Sequence, residues 1–316
     1  MNLRFVEAFY WAVTLSSITR AADKLFVTQS ALSSRIAALE EELGVLLLDR
    51  RDKQFRLTIA GARFHRHAEK LLNLQREIRA EFGAAPGAEA RDALLRVGVI
   101  ESVLHSWLVE WVQVLRREQP ALQLDLTVET SAVLLDQMRR GVLDLTVAVL
   151  PLQGEGIDSR ALAPMPMVFV GSRPAPRRDR ATLADVAGAH ELLTFQRASQ
   201  PYVALLEACR VAGIDSPRVH AISSISAMLE LAEQGFGVAT LPAAAVRRLA
   251  AQRPLAVWPV EVQLPPLPIH LSWRDDPASP IVGRAVASLR DFTARWALSQ
   301  PGATGRSLSS KKSMTR

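Results

Sequence analysis

The chain has 316 residues, of which 49% are hydrophobic, and a formal net charge of +6. That length predicts two or three domains with a substantial buried core. No apolar run approaches the roughly 20 residues that a membrane-spanning helix needs, and the sequence after Met1 lacks the apolar stretch of a signal peptide. The single cysteine, Cys209, excludes an internal disulfide framework and is expected to fill the core. We therefore expect a cytoplasmic protein without membrane contact.

The basic charge lies at the two ends of the chain. Residues 1–83 carry thirteen Lys and Arg against ten acidic residues, and residues 301–316 carry four Lys and Arg and no acid. Residues 84–300 are close to neutral, so this large part shows no bias towards a polyanion. We interpret residues 301–316 as a disordered basic tail, with a DNA-contacting arm as the alternative.

The first part of the chain predicts three helices and a hairpin. Apolar residues recur at helical spacing over Leu3–Thr14. Ser17 and Thr28 are suited to be the N-caps of the next two helices, and Gly44 ends the third. Residues 46–58 read as an apolar, a charged and again an apolar segment, which is typical of a hairpin. Together these elements predict a winged helix-turn-helix, a motif that reads the major groove of DNA.

A long helix is predicted to follow over residues 60–83. Its apolar and small residues alternate in steps of four and three, with one polar position, at Phe64, Ala68, Leu71, Gln75, Ile78 and Phe82. Such a heptad pattern favours a helix that pairs two chains, with packing on its own domain as the alternative. Residues 84–90 are small, contain Pro and Gly, and are interpreted as a hinge.

From Leu94 onwards strands alternate with helices. The order through Val149 is βαβαβ, which implies a parallel sheet. A second α/β set runs from Leu192 to Leu241, and the segments Leu267–Trp273 and Pro280–Leu298 return to the first set. The predicted domains are a winged helix-turn-helix over 1–59, a linker helix over 60–83, a hinge over 84–90, and an α/β domain over 91–300 with lobe one at about 91–163 and 269–300 and lobe two at about 164–268. A cleft is expected between the lobes, near helix N-termini.

The sequence predicts neither catalysis nor a metal site. It contains no Gly-x-Ser-x-Gly elbow, no phosphate-binding Gly-Lys-Ser/Thr loop and no dinucleotide fingerprint. His65 and His67 are two residues apart on a helix, so their rings diverge. We expect a protein that is not an enzyme and needs no cofactor. An enzymatic or solute-binding α/β domain with an accessory DNA-binding module is the alternative.

Several segments together carry a family resemblance. They are Ser17-Ile18-Thr19-Arg20-Ala21-Ala22, Thr28-Gln29-Ser30-Ala31-Leu32-Ser33, Leu47-Leu48-Asp49-Arg50 and Leu57-Thr58-Ile59-Ala60-Gly61, with weaker matches at 141–145 and 233–242. With these segments the chain resembles the LysR-type bacterial transcriptional regulators. The family often has Ser-Phe, Ser-Gln-Pro and Leu-Phe where this chain has Ser17-Ile18, Thr28-Gln29-Ser30 and Leu47-Leu48, which are mild changes.

The resemblance implies a fold, an assembly and partners. The fold class is α/β: a mainly α winged helix-turn-helix and linker helix, followed by a two-lobed effector domain of the type-2 periplasmic-binding-protein kind. The implied assembly is a homodimer that forms a homotetramer. The implied partners are double-stranded promoter DNA, RNA polymerase and a small-molecule effector between the lobes. An architectural DNA-binding protein without an effector is a further alternative.

The predicted DNA contacts surround the third helix. Gln29 can pair with adenine, and Arg35 can reach guanine or a phosphate. Residues expected to face bases are Thr28, Gln29, Ser30, Ser33, Ser34 and Arg35. Residues expected to hold phosphates are Ser17, Thr19, Arg20 and Lys24 on the second helix and Arg50, Arg51 and Lys53 in the wing, the wing residues reaching phosphates or the minor groove. For each basic residue a solvated surface charge is the alternative.

For the cleft, the resemblance implies effector contacts from Ser102, Thr130, Phe195 and Ser223. Arg197 would counter a negative effector such as an organic acid. If Glu101 faces the cleft, an amine or a neutral ligand is favoured instead. The alternative for each Ser or Thr at a helix start is an ordinary N-cap.

Overall fold

The computed structural model describes residues 1–49, 55–82, 94–154, 156–175, 181–277 and 280–300, with the backbone alone at 77 and 79–82. The predicted wing residues Arg50, Arg51 and Lys53, the hinge 84–90 and the tail 301–316 lie outside the described residues.

The first three helices confirm the capping signals in the sequence. The Ser17 side chain accepts a hydrogen bond from the Arg20 N–H, and the Thr28 side chain accepts one from the Ala31 N–H. Gly44, at φ 68°, adopts the left-handed conformation that ends the third helix and that glycine tolerates without strain. The helices are α1 (Leu3–Thr14), α2 (Ile18–Lys24) and α3 (Gln29–Leu43).

A two-stranded wing and a long helix complete this domain. Strands β1 (Leu48–Asp49) and β2 (Arg56–Leu57) pair antiparallel, and α4 (Ile59–Phe82) follows. Ala68 and Leu72 of α4 are buried against the domain core.

In the first half of α4, residues of the predicted heptad pack on their own domain, as in the alternative interpretation. Phe64 lies edge-on to Phe9 of α1, with 5.5 Å between the ring centroids, and Ala68 is fully buried. In the second half, Leu74 and Ile78 remain 52% and 50% exposed. The apolar stripe left for a second chain therefore lies in the second half of the described helix.

Lobe one is built on a five-stranded sheet in the order β4-β3-β5-β12-β6. The first three pair parallel, as the βαβαβ order predicts, whereas β12 pairs antiparallel with β5 and β6. The strands are β3 (Leu94–Val99), β4 (Gln123–Val128), β5 (Leu145–Ala148), β6 (Ile157–Met165) and β12 (Leu267–Arg274). The helices are α5 (Glu101–Val103), α6 (Val109–Glu118), α7 (Ser131–Arg139) and α12 (Ile281–Ser299).

Lobe two has a second five-stranded sheet in the order β11-β7-β10-β8-β9. Here β8 pairs parallel with β9 and β10, and β7 pairs antiparallel with β10 and β11. The strands are β7 (Met167–Ser172), β8 (Glu191–Thr194), β9 (Val219–Ala221), β10 (Gly237–Pro242) and β11 (Leu255–Trp258). The helices are α8 (Leu183–Ala189), α9 (Gln200–Val211), α10 (Ile225–Glu233) and α11 (Ala243–Leu249).

The helical segment after β3 is not a continuous α-helix. It is interrupted between α5 and α6 by a π-helical turn at Leu104–Leu108. Such turns add one residue to a helical turn and are common at functional sites. This turn follows Glu101, which lies at the junction of the lobes.

The helix-turn-helix domain packs on lobe one of the same chain. Lys24 of α2 forms an ion pair with Asp144, whose side chain is only 4% exposed. Arg76 of α4 donates to the Asp276 carbonyl oxygen at 3.3 Å. The Cα of Gly141 approaches Leu15 so closely that a Cβ there would lie 2.6 Å from the Leu15 side chain. The two domains therefore form a packed interface in this conformation.

Candidate DNA interface and ligand cleft

The start of α3 forms an exposed polar tip. Thr28, Gln29, Ser30 and Ser34 are exposed, while Leu32 and Ile36 on the opposite face are buried in the domain core. Because the core fixes the buried face, the polar face has a defined orientation towards solvent. Ser33 and Arg35, also predicted to face bases, are half-buried at the edges of this tip.

Two of the predicted contact residues already serve the protein backbone. The Ser17 hydroxyl oxygen caps α2 by accepting from the Arg20 N–H at 3.3 Å. The Thr28 hydroxyl oxygen caps α3 by accepting from the Ala31 N–H at 3.2 Å. The Thr28 hydroxyl also lies 3.0 Å from the Ser30 hydroxyl. Capping leaves the hydroxyl proton free to donate to a phosphate, so the two roles are compatible.

The residues of α2 that are predicted to contact phosphates differ in their exposure to solvent. Thr19 is exposed and Arg20 is half-buried. The Lys24 ammonium pairs with Asp144 and lies 4.9 Å from the centre of the Trp11 ring. In this conformation Lys24 therefore contacts lobe one and is not available to DNA.

The base of the wing is fixed by residues that the sequence reading did not assign to a site. The buried Glu40 carboxylate of α3 accepts hydrogen bonds from the Leu47 and Leu48 N–H groups at 2.8 Å and 3.0 Å. Thr58 donates to the Leu46 carbonyl oxygen at 2.6 Å. These bonds join α3 to the wing, so the two elements that are predicted to face DNA are held together. The sequence signal for this role is a glutamate in the apolar part of a helix, since Glu40 directly follows the buried Leu39.

A cleft of about 430 Å³ lies between the two lobes. It is lined by both lobes, near the starts of α5, α7, α9 and α10. The lining residues are Ile100, Glu101, Ser102, Leu104, Val128, Glu129, Thr130, Ser131, Val149, Phe195, Gln196, Ser199, Pro201, Ser223, Ser224 and Leu267. The volume is within the range of small-molecule sites. The structure thus brings together the predicted Ser102, Thr130, Phe195 and Ser223.

The hydroxyls in the cleft divide into two groups. Ser199 and Ser224 are ordinary N-caps, which accept from the third residue of α9 and of α10. Thr130 precedes α7 but makes no capping bond. Ser102 is 97% buried without a hydrogen bond to the described residues, and the same is true of the more exposed Ser223. The three predicted hydroxyl contacts therefore keep their hydrogen-bonding capacity for a ligand.

Glu101 joins the two lobes across the cleft. Its carboxylate accepts from the Ile225 N–H at 2.8 Å and from the Ser224 hydroxyl at 3.2 Å, both at the start of α10 in lobe two. The His105 ring nitrogen lies 3.3 Å from the same carboxylate. Burial raises the pKa of Glu101, but the bonds from His105, Ile225 and Ser224 outweigh this effect, so its pKa lies below the ordinary glutamate value. The charged form is therefore favoured inside the cleft.

Arg197 does not line the cleft. It is exposed and lines an adjoining cavity, where its guanidinium lies 5.8 Å from the centre of the Tyr202 ring and 3.4 Å from the Tyr202 hydroxyl. The two cavities share the lining residues Thr130, Ser131, Val149, Gln196, Ser199 and Pro201. Glu129, which the sequence reading did not assign, does line the cleft and is exposed there. The charged side chains of the lining are thus two carboxylates.

The described residues hold no cluster of three or more His, Cys, Asp or Glu side chains that could bind a metal ion. Within the same residues no helix is both long enough and apolar enough to cross a membrane.

Two family matches cover most of the chain. Residues 3–62 match the family described as "Bacterial regulatory helix-turn-helix protein, lysR family". Residues 88–294 match the "LysR substrate binding domain". The chain belongs to the LysR family. The two-domain fold agrees with this assignment.

Individual relatives of this LysR-type protein are distant but cover most of its length. The "Hydrogen peroxide-inducible genes activator" of Pectobacterium carotovorum is 28% identical over 286 residues, which is 90% of this chain and 93% of the relative. A solved structure of a full-length OxyR variant from Pseudomonas aeruginosa is 25% identical, with a TM-score of 0.60, and the match covers 92% of this chain and 94% of that one.

A further solved structure shares the fold of this LysR-type chain. It is full-length CbnR in complex with its target DNA, at 23% identity and a TM-score of 0.52, covering 93% of this chain and all of CbnR. The relatives are regulators and not enzymes. The chain is accordingly a LysR-type transcriptional regulator with an effector-binding domain, and not an enzyme.

Proposed function

We propose that this LysR-type regulator binds promoter DNA sequence-specifically and that a small molecule bound between its two lobes controls its activity. The observation that carries the proposal is the cleft itself, lined from both lobes and containing hydroxyls at Ser102, Thr130 and Ser223 that have no hydrogen-bond partner among the described residues. A ligand that bonds both lobes favours one relative orientation of them and shifts the population of the whole assembly.

On the DNA side, the polar tip of α3 enters the major groove of double-stranded DNA. Gln29 is exposed at its first position and can form two hydrogen bonds to adenine. Arg35, Thr19 and Arg20 add contacts to a base or to phosphates. The wing residues Arg50, Arg51 and Lys53 would contact phosphates or the minor groove. Since Glu40 fixes the wing to α3, both elements approach the duplex as one unit.

Exposed apolar surface supports the proposed assembly. The second half of α4 exposes Leu74 and Ile78, which are four residues apart and lie on one face of the helix. This stripe would pair two chains into a dimer. On lobe two, α9 exposes Val203, Leu206 and Val211, a surface suited to join dimers into a tetramer. Such a tetramer, acting in the cytoplasm, would change contact with RNA polymerase when the effector binds.

The relative named as a hydrogen peroxide-inducible genes activator does not imply that this chain senses peroxide through a thiol. A thiol that reacts with peroxide does so as an accessible thiolate. Cys209, the single cysteine, is fully buried, and burial raises the pKa of its thiol. A second thiol for an intrachain disulfide is lacking. These properties favour a bound effector over thiol chemistry.

The test is footprinting of the full-length chain on the DNA upstream of its own gene. We expect protection of paired half-sites, and a change in the protected pattern when a ligand found by thermal-shift screening is added. A matched variant, Ser102→Val, should retain the protection but respond to the ligand only at higher concentration.

Two results would contradict the proposal in different ways. Failure to retard any promoter fragment would overturn DNA recognition. A footprint that no ligand changes, together with no ligand-induced rise in Tm, would favour the architectural alternative.

A further inference from the structure

We infer that the effector carries a cationic group, an ammonium or an amidinium, on an apolar body, and that it is not a carboxylate. This inference rests on the proposed function, because it names the class of ligand that the cleft between the lobes binds.

Of the two helix starts that lobe two contributes to the cleft, that of α10 is already occupied. The first free N–H of a helix and its hydroxyl cap are the usual partners of a bound carboxylate. At α10 these partners, the Ile225 N–H and the Ser224 hydroxyl, are both bonded to the Glu101 carboxylate. An incoming carboxylate would have to displace Glu101, whose negative charge would then repel it at short range.

The remaining charge in the cleft has the same sign. Glu129 lines the cleft from the end of β4 and forms no ion pair with the described residues. No Lys, Arg or His side chain lines the cleft in the part of the chain that the structure describes. Arg197, the one predicted counter-charge, lines the adjoining cavity and contacts Tyr202 there. Two carboxylates that face a shared cavity favour a cation between them.

The other lining residues indicate the shape of the ligand. Apolar side chains form the walls, namely Ile100, Leu104, Val128, Val149, Phe195, Pro201 and Leu267. The Phe195 ring can also face a cation. The hydroxyls of Ser102, Thr130 and Ser223 can accept from an ammonium and can bond a second polar group. An amine on an aromatic or aliphatic body satisfies both kinds of surface.

Three probes that share one body test the charge preference directly. They are 2-phenylethylamine, 2-phenylethanol and 3-phenylpropionate, which place an ammonium, a hydroxyl or a carboxylate on the same phenylethyl group. Binding to the full-length protein is measured by calorimetry and by the shift in Tm at neutral pH. We expect the amine to bind at least about fivefold more tightly than the alcohol, and the carboxylate to bind most weakly.

The variant Glu129→Gln removes one of the two charges without changing the shape. We expect the affinity for the amine to fall about threefold to fivefold, since Glu129 is exposed, and the affinity for the alcohol to stay the same. The control is Glu118→Gln, which makes the same change in net charge on an exposed residue outside the cleft lining. It should leave all three affinities unchanged.

A second variant tests the part played by Glu101. Glu101→Ser frees the start of α10, so this variant should gain affinity for 3-phenylpropionate and lose it for the amine. The near-native Glu101→Gln controls for folding, since it keeps the size of the side chain.

The outcomes separate the class of ligand from the existence of a ligand. Tighter binding of the carboxylate than of the amine by the wild-type protein would overturn the cationic class and leave the proposed function intact. A wider panel of cationic, neutral and anionic metabolites that yields ligands only among the anions would also overturn the cationic class and leave the proposed function intact. A panel in which no compound of any class raises the Tm would overturn both proposals.

Discussion

The polar tip of α3 and the cleft between the lobes are built in opposite ways. All the residues of the tip come from one stretch of eight, Thr28 to Arg35, on a helix whose other face is buried. The cleft is lined from segments around residues 100, 130, 149, 195, 223 and 267, which are distant in the sequence. The tip therefore depends on one helix and its cap, whereas the cleft depends on the position of the two sheets relative to each other.

This difference predicts different responses to substitution at the two sites. At the tip, replacing one side chain should alter one contact with a base. At the cleft, removing the Glu101 carboxylate should break a bond that links the two lobes. The predictions below test whether the two regions respond in these different ways.

The largest effect is expected at the support of the wing. Gly61 lies in the first turn of α4, where a Cβ would be 2.0 Å from the Leu47 carbonyl oxygen. Gly61→Ala should therefore destabilise the DNA-binding domain by about 3 kcal/mol, measured by urea unfolding.

The control is Gly283→Ala in the first turn of α12, where a Cβ would meet no atom within 4 Å. It should be neutral or stabilise by up to about 1 kcal/mol through higher helix propensity. Equal losses from both variants would show that the packing at Gly61 is not responsible.

The next effect concerns base recognition. Gln29→Ala should lower the binding free energy by about 2 kcal/mol on DNA with the native base at one position of each half-site. On DNA altered at that position, the same variant should lose little. The measurement is a competition assay with single-base variants of the protected sequence. Ser34→Ala, at another exposed position of the same helix, is the comparison. An equal loss of affinity on every sequence would mean that Gln29 contacts the sugar–phosphate backbone of the duplex and not a base.

A smaller effect should link the two domains. A double-mutant cycle of Lys24→Met and Asp144→Asn should give a coupling free energy of about 1 kcal/mol in thermal or urea unfolding, because their side chains are 11% and 4% exposed. The exposed pair of Arg140 and Asp136 serves as the reference and should give less. A coupling no larger than in the reference pair would mean that Lys24 and Asp144 do not hold the domains together.

The smallest effect is a dependence on pH. Because the pKa of Glu101 lies below its ordinary value of 4.5, its contribution to stability is present above that value and is lost as the pH falls through the lower, folded value. The difference in Tm between wild type and Glu101→Gln should thus shrink on acidification from about pH 6. The variant keeps His105, the other titratable group in contact. A constant difference would mean that the carboxylate charge is not what joins the lobes.

The sequence predicts well those features that depend on near neighbours. The caps at Ser17, Thr28 and Gly44 involve residues within four positions of each other, so the local pattern contains the whole interaction. The alternation of strands and helices predicted the parallel parts of both sheets for the same reason.

The sequence does not predict features that depend on distant partners. Strands β6 and β11, at the edges of their sheets, and the seven-residue helices α8 and α11 were not anticipated, since such elements owe their formation to tertiary packing. At the cleft, the position of Glu101 was left open because its partner, Ile225, is 124 residues away. For the same reason the pattern could not show that Arg197 lies outside the lining.

The ion pair of Lys24 with Asp144 has a consequence for how this regulator responds to ionic strength. Counterions condensed on DNA are released when a protein cation neutralises a phosphate, and Lys24 neutralises none while it is paired with Asp144. Transfer of Lys24 from Asp144 to a phosphate then trades one partner for another, and the gain at low salt is small. Promoter occupancy should accordingly vary less steeply with potassium concentration than a count of the basic side chains on α2 implies.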